Sequence, residues 1–295
     1  MILSKERSSF SKGHMPAGTT LHGILKRDVI FLVDSTLFCA VVPCVITIIT
    51  IMLTKNAFSW TLVLLPFFAC VLIYSTNRLT DKKEDAINIP DRIQFPHRIR
   101  VTLLVVASIF YVLLLGIVFQ KNFLSFAIAL LPLVIAFLYS ICRLKRFFLV
   151  KNISIATAIC ASVLIVPAYY ENWTGVGEML FLFFFFMLLT NTILFDIKDI
   201  KGDSIFGIHT LPVLLGIPAT KKICCFLVAV ACIMIIPLVF MNWDSILLIP
   251  FACTLALATI YAPEGENPPW WYFGIFVDGE YWILLFSALI LLILQ

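Results

Sequence analysis

The stretch Phe58-Ser-Trp-Thr-Leu-Val-Leu-Leu-Pro-Phe-Phe-Ala-Cys-Val-Leu-Ile-Tyr74-Ser-Thr-Asn77-Arg-Leu-Thr-Asp81-Lys-Lys-Glu-Asp85 decides how the chain is read. It begins as a long apolar run and ends in a dense charged segment, so within it a buried helix meets water. Asn77, Asp81 and Asp85 are spaced i, i+4, i+8, which on a helix lines three oxygen-bearing side chains into one stripe roughly 12 Å long. The pattern returns downstream. After the apolar run Val176 to Phe195 come Asp196, Asp199 and Asp203, spaced i, i+3, i+7, again one helical face. Acids at a helix C-terminus meet a backbone dipole that is already negative. Three together repel one another unless a cation binds them. Two acidic stripes at the ends of two hydrophobic helices therefore suit divalent cations, and Mg²⁺ favours one or two carboxylates plus substrate phosphate oxygens. The plainer alternative, a solvated helix end, leaves that repulsion unrelieved.

Working outward, the chain is 62% hydrophobic and only 13% charged, with a mean hydropathy of +1.05. Soluble domains carry about a quarter charged residues, so this composition indicates an all-α integral membrane protein. The nine Cys form no C-x-x-C and sit mostly in apolar runs, which argues against zinc and against a disulfide framework. Residues 1–27 are polar and basic and read as a cytoplasmic lead without a cleavable signal peptide. Residues 28–295 form the membrane domain, with nine expected spans at 29–53, 58–76, 101–119, 123–142, 152–170, 176–195, 223–241, 245–262 and 281–294. The aromatic segment Trp270 to Phe276 is expected at the membrane interface.

Nineteen of the 21 Lys and Arg fall in the lead and in the connections after the second, fourth and sixth spans. Only Lys55 and Lys121 lie in the alternate connections. The positive-inside rule then puts the amino terminus and both acidic stripes in the cytoplasm and the carboxyl terminus outside. Asp81 and Asp196 are 115 residues apart, each closing an even-numbered span, a coarse repeat that would bring two equivalent motifs together across a cavity.

The first connection continues as Asn88-Ile-Pro90-Asp-Arg92, and the second as Lys201-Gly-Asp203-Ser-Ile-Phe-Gly-Ile-His209-Thr-Leu-Pro212. These segments and their positions resemble the UbiA superfamily of intramembrane prenyltransferases. That family carries N-x-x-x-D-x-x-x-D with a trailing N-x-P-x-R, then D-x-x-D-x-x-x-D with G-D and T-L-P. The resemblance implies nine helices around a central cavity under a cytoplasmic cap. It implies two Mg²⁺ ions (Mn²⁺ substituting), one held by Asn77, Asp81 and Asp85 and the other by Asp196, Asp199 and Asp203, with Asp81 and Asp196 essential to catalysis. Tyr139, Arg143, Lys145 and Asn152 resemble the family's diphosphate-binding connection, and Arg92 and Lys201 are added by motif context. The plainer reading of these cations is that they only obey the charge rule.

The implied reaction is transfer of a polyprenyl group from its diphosphate to a lipophilic acceptor, aromatic or other, in the bilayer, with no nucleic acid involved. Ionisation of an allylic C–O bond leaves negative charge that metal ions and basic side chains stabilise, in a site that excludes water. The alternative within the fold is a terpene cyclase, which needs no acceptor. A transporter is the rival of another class, but it would place acids inside the spans. Two departures bear on the acceptor. Ile93-Gln-Phe-Pro-His97 replaces the P-x-x-S-G turn of members that prenylate aromatic rings, and the Arg expected near the first span has only Arg27 as a candidate. Asp34, His97 and His209 are left without assigned roles. The run Phe181, Phe183 to Phe186 is expected to pack, with a prenyl-lining role as the alternative.

Overall fold

The computed structural model describes residues 36–80, 97–141, 147–264 and 272–294. Among them are nine α-helices, one for each expected span. In chain order α1 is Thr36–Leu53, α2 Trp60–Thr80, α3 His97–Lys121, α4 Phe123–Ile141 and α5 Val150–Tyr170. They are followed by α6 Gly175–Ile205, α7 Leu211–Met241, α8 Leu248–Ile260 and α9 Glu280–Leu294. A short 3₁₀ turn, Trp243–Leu247, leads into α8, and a π turn, Tyr272–Val277, precedes α9. Six segments are helical, long and apolar enough to cross a membrane, and Leu37–Leu53, Phe123–Tyr139 and Glu280–Ile293 are shorter apolar helices. Helices dominate because lipid offers no hydrogen-bond partners, so every backbone group must be satisfied within its own segment.

The side chains sort into two main packed groups. One joins α1, α5, α6, α7, α8 and α9 around Phe183, Phe184 and Phe251. The other joins α1 to α5 around Tyr111, Leu62 and Val118. Helices α1 and α5 contribute to both, so they are the shared wall. Polar residues are admitted to this wall only where they are satisfied. Thr47 and Thr50 of α1 are fully buried, and their hydroxyls donate to the carbonyls of Pro43 and Ile46 at 2.8 Å, which spares them an unmet polar group in hydrocarbon.

Between α1, α2, α3, α4 and α5 lies an apolar cavity of about 120 Å³. Pro43, Pro66 and Pro132 line it, each inside a helix where proline deletes one hydrogen bond of the ladder. Tyr111 closes its side, donating to the Ala129 carbonyl at 2.6 Å.

The end of the bundle away from Asp196 and Asp203 is tied together by asparagines in its turns. Asn242 Nδ2 donates to the Leu53 carbonyl (2.8 Å), Asn122 Nδ2 to that of Ala168 (2.9 Å), and Asn172 Nδ2 to Asn56 Oδ1 (3.2 Å). Tyr170 adds a bond to the Ala57 carbonyl. Thr174 caps α6, its hydroxyl accepting from the Gly177 amide at 3.2 Å.

One expectation changes and another is met. Tyr272 and Phe273 are 3% exposed and packed in the core, so this part of the aromatic segment is not an interface belt. Phe183 and Phe184 are fully buried against Phe251 and do not line the cavity, which is the packing outcome.

Candidate active site

The apolar run of α6 ends at Phe195, yet the helix continues for ten residues more. It stops only where Gly207 adopts φ 66°, a conformation glycine takes without strain. Asp196, Asp199 and Asp203 therefore stand on one unbroken helix. Asp196 is 1% and Asp203 3% exposed.

Both carboxylates converge on one ammonium. Lys151 Nζ lies 2.8 Å from Asp196 Oδ1 and 3.2 Å from Asp203 Oδ2, bridging two turns of α6. The second oxygen of Asp196 accepts from Asn152 Nδ2 at 2.8 Å, and Asn152 is itself buried. Lys151 and Asn152 occupy the first turn of α5, which Leu149 opens with φ 59°, the left-handed region that a branched side chain enters only when its surroundings compel it.

The three carboxylates of the stripe expected on α6 are not equivalent. Asp199 faces Lys198 at 3.5 Å, and among the described residues no three His, Cys, Asp or Glu side chains are grouped to hold a metal ion. The pair Asp196 and Asp203 nonetheless fits a divalent cation by chemistry. Two buried carboxylates already share one positive centre, and Mg²⁺ takes one or two such ligands and completes its shell with phosphate oxygens and water.

Of the other expected residues, Asn77 and Tyr139 both line the cavity. Ser154, three residues after Lys151 on α5, lines the same cavity. Lys201 and His209 are exposed, and His97 opens α3. Asp34, Asp81, Asp85, Arg92, Arg143 and Lys145 lie outside the described residues.

Sequence reading missed two features. Lys151 registers there only as one more basic residue near a membrane end. Beside α6, Glu280 is fully buried, accepting from Asn191 Nδ2 at 3.1 Å, while its Oε2 has no partner among the described residues. In the turn before α9, desolvation pushes the Asp278 carboxyl up to about 7, against the pull of the Lys198 ammonium and a hydrogen bond from Asn191.

The described residues form an all-helical bundle with long apolar helices, two buried carboxylates and an apolar cavity, the architecture of an intramembrane protein. The model of the UbiA prenyltransferase family matches residues 40–267, and the chain belongs to that family. It is a multi-pass integral membrane prenyltransferase. Over 214 residues it is 29% identical to a digeranylgeranylglyceryl phosphate synthase of Methanopyrus kandleri, covering 69% of this chain and 78% of that one. Its fold is similar to a UbiA homolog from Aeropyrum pernix, with a TM-score of 0.66 at 15% identity, covering 86% of this chain and 98% of the other. It is also similar to a UbiA homolog from Archaeoglobus fulgidus bound to GPP and Mg²⁺, with a TM-score of 0.58 at 17% identity over 86% of this chain and 99% of that one.

Proposed function

We propose that this protein catalyses Mg²⁺-dependent transfer of a polyprenyl group from its diphosphate to a lipophilic acceptor, releasing diphosphate. The observation that carries this reading is the convergence of Asp196 and Asp203 on one cationic centre, borne by α5, a helix that also lines an apolar cavity. Polar groups at one end and proline-shaped hydrophobic walls beyond match a molecule with an anionic head and a hydrocarbon tail. Bound Mg²⁺ would supply charge stabilisation for the departing diphosphate.

The chain's own residues then divide the work. Asp196 and Asp203, with Asn77, Asp81 and Asp85 of the first motif and Asp199 beside the second, hold two divalent ions. Asn152 fixes Asp196 through its second oxygen. Lys145, Arg143, Arg92, Lys201 and Tyr139 bind the diphosphate oxygens, where guanidinium groups fork and ammonium groups act as point charges. The cavity walls exclude water, so the allylic cation meets the acceptor and not hydroxide. The Methanopyrus relative is named for a product carrying two prenyl chains on glyceryl phosphate. A prenylated glyceryl phosphate with a free hydroxyl is accordingly the acceptor class to test first. Both acidic motifs face the cytoplasm in this reading, where diphosphates and Mg²⁺ are supplied.

Purified protein in detergent is incubated with geranylgeranyl diphosphate and Mg²⁺, with and without geranylgeranylglyceryl phosphate, and the products are identified by mass. A diprenylated ether that forms only with acceptor, and disappears with chelator, is expected. A cyclic hydrocarbon formed without acceptor establishes the cyclase instead.

A further inference from the structure

We propose that Lys151 is a resident counter-ion of the second acidic motif, which a divalent cation must displace, and that the displaced ammonium turns toward the diphosphate. This rests on the reading that Asp196 and Asp203 hold metal. The geometry is the argument. The ammonium stands 2.8 and 3.2 Å from the two carboxylates that would take the ion, so ammonium and metal compete for one place. Asp196 and Asp203 together carry two negative charges, and Lys151 already offsets one. A dication added beside it would put two cations within a few ångströms in a desolvated site, where like charges repel strongly.

Lys151 is built to move. Its ammonium sits on a flexible four-carbon stem, and it lies in the first turn of α5, three residues before Ser154, which lines the cavity. Tyr139 lines the same cavity as Ser154. Rotation of the stem toward Tyr139 carries the charge to where a diphosphate head would lie. Asn152 meanwhile keeps Asp196 in place through its other oxygen. Metal and diphosphate thereby assist each other. The diphosphate draws the ammonium away and frees the acids, while the metal frees the ammonium for the diphosphate. Such coupling is reciprocal by necessity.

The test is Mn²⁺ binding to the full-length protein in detergent, without diphosphate, followed by the loss of the free-ion electron paramagnetic resonance signal. Lys151→Met should tighten binding by at least about tenfold, a difference of 1.4 kcal/mol. Lys151→Arg, which keeps the charge, should bind as weakly as the natural protein. The added affinity should vanish in the double variant Lys151→Met with Asp196→Asn. Equal Mn²⁺ affinity for Lys151→Met and the natural protein overturns the proposal. Binding indifferent to Asp196→Asn in every background removes the metal reading itself, and the proposal with it. A thermal-shift series covers the variant's stability. Lys151→Met should melt lower without Mg²⁺ and recover as Mg²⁺ is added, one cation replacing another. A deficit that persists at all Mg²⁺ concentrations marks a purely structural lysine and overturns the proposal.

Discussion

At the scale of single residues, Asp196 carries two duties that its burial makes hard to separate. Replacing it with alanine strips Lys151 and Asn152 of a partner in a nearly water-free site, and breaking a buried ion pair in this way costs about 3–5 kcal/mol. Asp196→Ala should therefore melt lower in detergent and lose activity together. Asp196→Asn keeps the shape and a hydrogen-bonding group. It should fold, insert and elute like the natural protein while kcat falls by roughly a hundredfold to a thousandfold, the scale of losing one charge-stabilising group. Full turnover in Asp196→Asn would exclude the carboxylate from catalysis. The i, i+7 spacing of Asp196 and Asp203 already predicts a shared face. Lys151 was not legible, because its partners are 45 and 52 residues away and its charge also satisfies the topology rule. Asp199 shows the converse. It belongs to the stripe by spacing, yet it is the more exposed member and pairs with Lys198 beside it.

Among the elements, α7 holds a break that hydropathy does not register. Gly216 sits at φ 76°, ψ 165°, between the short segment after Thr210 and the long apolar span. This region is almost closed to residues with a side chain. A Cβ there would meet only Pro218 Cδ at 3.9 Å, so space is not the obstacle. Gly216→Ala should thus lower stability by about 1–3 kcal/mol through backbone strain alone, read as an earlier melting transition in detergent. An unchanged midpoint would mean the break relaxes freely. The helices themselves are legible from their apolar runs, because hydrocarbon thickness sets the length of a span, and six of those described reach it. Their ends are less so. Helix α6 outlasts its apolar run by ten residues because neither glycine in a left-handed turn nor proline interrupts it before Gly207. The π turn at Tyr272–Val277 contains the same residue types as an interface belt, and only its packing against the core distinguishes the two.

For the whole molecule, the alternation of charge between connections predicts that cysteines engineered beside Lys55 and Glu171 react with an impermeant reagent added outside intact cells. One placed beside Ser204 should react only after permeabilisation. The opposite pattern would invert the molecule and remove the motifs from cytoplasmic diphosphates. The bundle's membership of nine helices is readable in the chain, but its division into two packed groups sharing α1 and α5 is not. That division depends on which faces of those helices meet which neighbours. The asparagine ties at the far end escape sequence reading for a similar reason, since each joins turns distant along the chain. These ties have an electrical consequence. Ile51, Leu62, Val118 and Val166, on the helices these turns connect, are buried in one hydrophobic cluster. A charge crossing that cluster would have to shed its hydration among hydrocarbon side chains, a cost that opposes the passage of ions there.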